Sequence, residues 1–172
     1  MSTVEFLNAY RNGGKVKRMH TLEVIKEENV AQHVFGVMSI LTVLYAPARV
    51  NSALYLEALH HDLAEQATGD IPAPVKRDSV AMKNYLDHQE ALWAYDNLPI
   101  GNGTHTLTTE EVSMLKIADT LDLMFKCHDE ILLGNTTPQM RDMLAKCHSY
   151  MEAYDIPHNF HDKIMELVDE CK

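Results

Sequence analysis

The chain lacks any apolar run long enough to cross a bilayer. A membrane-spanning helix needs about 18–20 consecutive apolar residues, and the most hydrophobic stretch, residues 34–46, is shorter. That stretch also lies too far from the N-terminus to be a secretory signal. We therefore expect a protein of the cytoplasm, or of a host's cytoplasm, with no membrane as its partner.

Positive charge is also scarce. The chain has 15 Lys and Arg residues against 25 Asp and Glu residues, a formal net charge of −10. Binding to a nucleic-acid backbone needs a basic face, so this balance argues against a nucleic-acid polymer as partner. A single nucleotide stays possible, because a cleft with a metal ion and two or three cations can hold phosphates on an acidic protein.

Cysteine is limited to Cys127, Cys147 and Cys171, an odd number without a CxxC pair. Such spacing predicts reduced thiols in a reducing compartment rather than disulfides. It also gives no basis for a structural zinc site built from cysteines.

A strand-like alternation of polar and apolar residues is absent, and helix signals take its place. Capping boxes at residues 2–5 and 108–111 begin the first helix and a later long one. The last helix is expected over residues 155–172. With 172 residues, 46% of them hydrophobic, the sequence predicts an all-α fold of about six or seven helices. These form one domain, residues 1–172, around a single core.

The stretch that organises the chain lies in a helix predicted over residues 52–68. On a helix, His61, Asp62 and Glu65 fall within one arc about 100° wide. An imidazole, an adjacent carboxylate and a second carboxylate one turn later suit a metal site with a nearby acid or base. His60 lies on the opposite flank, so we assign it a packing role and prefer His61 as the ligand.

Two further residues, on other predicted helices, point inward. His33 shares a helix face with apolar residues, and it is either a hydrogen-bonded core histidine or a ligand. Asp119 is flanked by apolar residues on the long helix, where a buried carboxylate needs a cation or a metal ion. Asp122, on the same stripe, is either the inward acid or a partner of Lys126, and we prefer the pairing with Lys126.

A proline-containing segment follows the central helix, with Gly69 suited to the left-handed residue at its end. The prolines in residues 71–74 prevent a continuous helix there. We expect a rigid loop that leaves the helix end at Asp70 and delivers Lys76.

Two charged segments are interpreted as solvent-facing. The basic run of residues 15–18 reads as an exposed loop on charge pattern alone. Asp87 and His88 form a second His-Asp pair, but Lys83 and Glu90 around them indicate a solvent face rather than a metal site.

The order of these residues resembles the metal site of the HD-domain phosphohydrolases, and more closely the bacterial 5′-deoxynucleotidase family within them. The short length is similar to that of phage relatives that hydrolyse dATP. The resemblance covers residues 15–135, with C-terminal helices over 136–172. It is carried by five segments: Val16–Arg18, Glu28–His33, His61–Glu65, Thr68–Lys76 and Ile117–Asp119.

The resemblance implies one divalent ion, of Co, Mn, Zn, Fe or Ni. Its ligands would be four side chains: His33, His61, Asp62 and Asp119. Glu65 would be the catalytic acid or base. Arg18 and Lys76 would hold phosphate oxygens, and Asp70 would accept a hydrogen bond from the sugar 3′-hydroxyl. Met19 stands where the family usually has a tryptophan against the deoxyribose, which weakens the expected preference for deoxyribose over ribose.

The function that the resemblance implies is a metal-dependent deoxynucleotide phosphohydrolase. It would release the nucleoside by cleavage at the 5′-phosphate of a dNMP, or of a dNTP such as dATP, and it would form homo-oligomers. Two alternatives stay open at this point: hydrolysis of another phosphoester, such as a cyclic or signalling nucleotide, and a non-catalytic helical module with a structural metal ion.

Overall fold

The computed structural model describes residues 2–45, 51–72, 75–76, 79–98 and 107–171. Within them lie seven helices of nine residues or more and a single helical turn. The helical segments are α1 (Thr3–Gly13), α2 (Val30–Tyr45), α3 (Ser52–His60), the turn α4 (Glu65–Thr68), α5 (Val80–Asn97), α6 (Thr109–Leu132), α7 (Pro138–Ala153) and α8 (His161–Glu170). The predicted all-α class is confirmed. None of the helices described is both long and apolar enough to span a membrane.

The helix ends follow the capping chemistry that the sequence predicts. Side chain and backbone bond reciprocally in both capping boxes, between Ser2 and Glu5 and between Thr108 and Glu111. The predicted start of the last helix is wrong, because α8 begins at His161 rather than at residue 155. A turn closed by the N–H of residue 160 on the Pro157 carbonyl precedes it, and proline pushes the residue before it out of the helical conformation.

The helix predicted over residues 52–68 is interrupted, which is a second correction. Residues 61–64 form a tighter turn, in which the Leu63 and Glu65 N–H groups donate to carbonyls three residues back, both at 3.1 Å. Leu63 is buried against Gly13, where a Cβ would lie 2.9 Å from the leucine Cδ2. Only glycine allows this close approach, so the end of α1 supports the turn that carries His61 and Asp62.

The chain divides into two compact units. The first comprises Met1–Thr21, Glu27–Val34 and Leu59–His105; the second comprises Leu22–Lys26, Phe35–Ala58 and Thr106–Lys172. A cluster of fully buried apolar side chains from α2, α3 and α6–α8 forms the core of the second unit, including Leu41, Leu54, Met114, Leu121, Met124 and Ile164. The three cysteines are buried, and none of them forms a disulfide, in agreement with the prediction from their spacing. The single domain stays a prediction.

In the first unit, the segment before α2 pairs with the start of that helix. The Arg18 N–H donates to the Glu28 carbonyl at 3.0 Å, and the Val30 N–H donates to the Val16 carbonyl at 2.9 Å. This antiparallel pairing places Arg18 beside the N-terminus of α2, one turn before His33. Ala73 and Pro74 of the predicted rigid loop lie outside the described residues.

Candidate active site

Three side chains of the first unit converge on one point. His33 Nε2 lies 3.2 Å from His61 Nε2 and 3.4 Å from Asp62 Oδ2. His61 Nε2 lies 3.6 Å from the same Asp62 oxygen. Among the described residues, this is the one group of three or more histidine, cysteine or acidic side chains close enough to hold a metal ion. His33 is fully buried, as its apolar helix face predicts.

The donor set and its spacing fit a divalent ion. Ligand atoms about 2.0–2.1 Å from a tetrahedral ion lie about 3.3 Å apart, and the three distances here run from 3.2 to 3.6 Å. Two imidazoles and a carboxylate suit a borderline ion such as zinc, iron or cobalt. The protein can therefore hold a metal ion at this point without large rearrangement of these side chains.

Asp119, the fourth predicted ligand, lies on α6 in the second unit. It is partly buried and directly follows Ile117 and Ala118, which are fully buried. Its role as a ligand stays a prediction. The preferred pairing of Asp122 with Lys126 stays a prediction, and Lys126 also donates to two acceptors that the spacing argument did not consider.

Those acceptors are Glu130, whose carboxylate lies 2.9 Å from Lys126 Nζ, and the Lys26 carbonyl, at 2.5 Å. Both belong to the second unit, and Lys126 and Glu130 are one helical turn apart on α6. The ammonium is thus committed to a buried structural cluster.

Glu65 begins α4 and is 7% exposed. Its Oε2 receives no hydrogen bond from the described residues, while its Oε1 lies 3.6 Å from Lys76 Nζ. Burial, with Asp62 and Asp70 nearby, raises the pKa of Glu65 to about 8, against the opposing effect of Lys76 and Arg18. A buried carboxyl group that keeps an unused oxygen beside a metal-ligand cluster is suited to proton transfer.

Arg18 lies between two carboxylates. Its Nη1 donates to Asp62 at 2.5 Å, and its Nε is 3.6 Å from Glu28. The Arg18 side chain is 11% exposed, whereas Lys17 beside it is 64% exposed and pairs with Glu27 in solvent. The exposed-loop interpretation of the basic run therefore holds for Lys17 and is wrong for Arg18.

Lys76 also lies between two carboxylates, Glu65 and Glu90. Its Nζ is 3.4 Å from Glu90 Oε1, and the same oxygen accepts from the Thr68 hydroxyl at 3.0 Å. Sequence reasoning placed Glu90 on a solvent face, but its side chain is only 21% exposed. Its partners lie 14 and 22 residues away in the sequence, so no local pattern could reveal them.

Asp70 and Met19 are joined at the edge of this cluster. The Met19 N–H donates to Asp70 Oδ2 at 2.8 Å. Met19 has a positive φ of 53° and is 9% exposed, so the hydrogen bond holds a backbone conformation that side-chain-bearing residues seldom adopt. The structure brings the two predicted sugar-contact residues together, and their roles stay predictions.

His60 and His88, which the sequence analysis did not choose as metal ligands, lie outside the ligand cluster. His60 Nε2 lies 2.6 Å from the Tyr10 hydroxyl, which gives it a structural role through a hydrogen bond. Next to His88, Asp87 forms an exposed ion pair with Lys83 on α5, in keeping with a solvent face.

Solved structures share this architecture. Protein PH0347 of Pyrococcus horikoshii matches with a TM-score of 0.77 and 22% identity over 99% of this chain and 100% of that one. The HD phosphohydrolase DatZ of cyanophage S-2L was solved with dA and one catalytic Zn²⁺ ion. It matches with a TM-score of 0.71 and 20% sequence identity over 99% of this chain and 95% of DatZ. An HD-domain phosphohydrolase of Listeria innocua matches with a TM-score of 0.72 and 21% sequence identity over 99% of this chain and 98% of that protein. The fold is that of the HD-type helical phosphohydrolases.

Sequence relatives narrow the class. A family model described as 5′-deoxynucleotidase YfbR-like matches residues 5–166, so the chain belongs to the YfbR-like 5′-deoxynucleotidase family. The 5′-deoxynucleotidase of Photorhabdus temperata is 29% identical over 140 residues, 70% of this chain and 71% of that protein. The Escherichia coli K12 enzyme is 27% identical over 139 residues, 70% and 69% of the two chains. The predicted family and the predicted deoxynucleotide phosphohydrolase activity are confirmed.

Proposed function

We propose that this enzyme hydrolyses the 5′-phosphate ester of a deoxynucleoside mono- or triphosphate, using one divalent ion. The ion would be held by His33, His61 and Asp62, with Asp119 as the predicted fourth ligand. The observation that carries the proposal is Glu65, a buried carboxyl group with one unused oxygen close to this ligand set.

The ion would supply positive charge and would lower the pKa of a bound water toward neutrality. Its own charge would also bring the pKa of Glu65 down from about 8 toward the working pH. There Glu65 can orient the attacking water or donate its proton to the departing 5′-oxygen.

The remaining polar groups suit the rest of the substrate. Arg18 and Lys76 flank the ligand set as the two cations that would offset charge on the phosphate oxygens. Asp70, with one oxygen fixed by the Met19 N–H, keeps its other oxygen to accept from a 3′-hydroxyl.

Phosphate number and base are the finer part of the proposal. A monophosphate would give nucleoside and phosphate, and a triphosphate attacked at the α position would give nucleoside and triphosphate. DatZ, named as bound to dA, supports deoxyadenosine nucleotides, including dATP, as the first substrates to try. The likeness to the family also supports a homo-oligomer in the cytoplasm, which light scattering and cell fractionation would test.

The test is a panel of dNMPs, dNTPs, ribonucleotides and cyclic nucleotides, incubated with the purified protein and each of Co²⁺, Mn²⁺, Zn²⁺, Fe²⁺ and Ni²⁺. We expect release of nucleoside from at least one deoxynucleotide, with ribonucleotides cut less well. Cleavage of cyclic nucleotides alone would replace the proposal with the other phosphoester activity. No product from any pair would refute it.

A further inference from the structure

Glu90 is a carboxylate beside the site to which neither the sequence nor the resemblance assigns a functional role. It lies on α5, and its Oε1 accepts from both the Thr68 hydroxyl and the Lys76 ammonium, at 3.0 and 3.4 Å. Thr68 ends α4, the turn that Glu65 begins. One oxygen of Glu90 therefore connects α5 both to the end of that turn and to the predicted phosphate-binding lysine.

The Lys76 ammonium is held from two sides. Glu65 Oε1 is 3.6 Å away and Glu90 Oε1 is 3.4 Å away. A lysine side chain is a point charge on a flexible four-carbon stem, and it loses rotamer entropy when it is fixed in one place. A single contact with Glu65 leaves that stem free to swing out, whereas the second carboxylate restricts it.

Partial burial separates this pair from an ordinary surface ion pair. The side chains of Lys76 and Glu90 are 25% and 21% exposed. One turn earlier on α5, Asp87 pairs with Lys83, and those side chains are 50% and 57% exposed. Exposed ion pairs such as Lys83 with Asp87 contribute little to stability, so this second pair on α5 provides a control.

We propose that Glu90 is a positioning residue that holds Lys76 Nζ beside Glu65, where the ammonium meets the substrate phosphate. This inference rests on the proposed function. The Thr68 hydrogen bond fixes Glu90 in turn, so that Glu90, Lys76 and Glu65 keep their spacing while the substrate binds. Glu90 acts through Lys76 and does not touch the reacting atoms.

The test compares Glu90→Ala, Glu90→Gln and the control Asp87→Ala, each in the wild-type and the Lys76→Met background. We expect Glu90→Ala to lower kcat/KM for the best deoxynucleotide about tenfold, because a cationic group displaced by about 1 Å loses its effect. Glutamine keeps an oxygen acceptor, so Glu90→Gln should lose no more than about threefold, and Asp87→Ala should stay within about twofold of wild type.

The Lys76→Met background distinguishes positioning from a general structural role. There, Glu90→Ala should cause no further loss, because the group that it positions is gone. Bound metal per chain should be the same in all variants. An equal loss in both backgrounds, or wild-type kcat/KM in Glu90→Ala, would overturn the proposal. If Glu90→Ala does not fold, the smaller loss in Glu90→Gln is subjected to the same comparison.

A crystal structure of Glu90→Ala tests the inference without turnover. We expect Lys76 Nζ to move beyond about 4 Å from Glu65, the limit of an ion pair. A lysine that keeps its place in the variant would overturn the proposal even if the enzyme is active. Displacement of the lysine would support it even if every substrate in the panel fails, so the two hypotheses fail separately.

Discussion

Two buried glutamates in this protein have opposite properties. Glu130, on α6 in the second unit, is fully buried, and its two oxygens accept four hydrogen bonds. Burial raises its pKa, but the donors outweigh burial and bring the pKa to about 2. Glu65, in the first unit, is buried with one oxygen unused, and its pKa rises to about 8.

The difference shows that hydrogen-bond donors can outweigh the effect of burial on the pKa of a carboxyl group, as at Glu130, and that burial raises the pKa where such donors are few, as at Glu65. The four donors to Glu130 are the Ile25 N–H, the Lys26 N–H, the Lys126 ammonium and the Asn135 amide, at 2.6 to 3.0 Å. A carboxylate satisfied in this way holds its segment together and has little capacity left for a ligand. Burial and two neighbouring carboxylates raise the pKa of Glu65, and it is the glutamate suited to chemistry.

The largest effect is expected from Glu65→Gln. The amide keeps the shape of the side chain but cannot exchange a proton, so turnover should fall by about 10²–10⁴-fold. Bound metal and the thermal midpoint should stay close to wild type, as checked by metal analysis and calorimetry. Loss of the metal together with activity would mean that Glu65 supports the ion rather than the chemistry.

Glu130→Ala should show the reverse pattern. Removing the carboxylate leaves the Ile25 and Lys26 N–H groups without this acceptor and the buried Lys126 ammonium without its counter-charge, which costs about 3–5 kcal/mol of unfolding free energy. Urea unfolding measures this cost, and turnover per folded molecule should change little. If Glu130→Ala lost as much turnover per folded molecule as Glu65→Gln does, the distinction between the two glutamates would be contradicted.

Acid should weaken the Glu130 cluster specifically. Its pKa is lowered from the ordinary 4.5 to about 2 in the folded protein, so the unfolded chain binds the proton more readily between these values. The stabilisation, about 3 kcal/mol by linkage, is fully present above pH ~4.5 and is lost as pH falls toward 2. The unfolding free energy of Glu130→Gln should fall less than that of wild type over this range, and parallel curves would contradict the assignment.

A smaller effect is expected from Asn135→Ala. The Asn135 amide donates to the Glu23 carbonyl at 2.8 Å and to Glu130 at 3.0 Å. Losing both should cost about 1–3 kcal/mol and raise the pKa of Glu130, which a carboxyl NMR titration would detect. If the pKa of Glu130 stayed near 2 in this variant, the other three donors would be enough to keep it low.

Local signals in the sequence predict much of this fold. The two capping boxes, the glycine at residue 69 with its positive φ of 76° and the burial of His33 each depend on neighbours within a few residues. Helix geometry indicated a metal site at His61 and Asp62 with Glu65 beside it, whereas the full ligand set and the substrate roles came from the resemblance. Local chemistry and family pattern together thus placed the elements and the candidate residues.

What the sequence could not predict depends on distant partners. The break at residues 61–64 depends on the contact of Leu63 with Gly13, about fifty residues earlier. The roles of Glu90 and Glu130 depend on hydrogen-bond donors elsewhere in the chain. Glu130 accepts hydrogen bonds from two backbone N–H groups that lie more than 100 residues away in the sequence. Helix periodicity gives no information on contacts of this kind.

Anomalous diffraction from crystals grown with Zn²⁺ or Mn²⁺ tests the central claim most directly. We predict one ion per chain, about 2.0–2.2 Å from ligand atoms of His33, His61 and Asp62, with Asp119 as the fourth side chain and Glu65 outside the coordination sphere. An ion bound elsewhere, or no ion between the two histidines, would contradict the account.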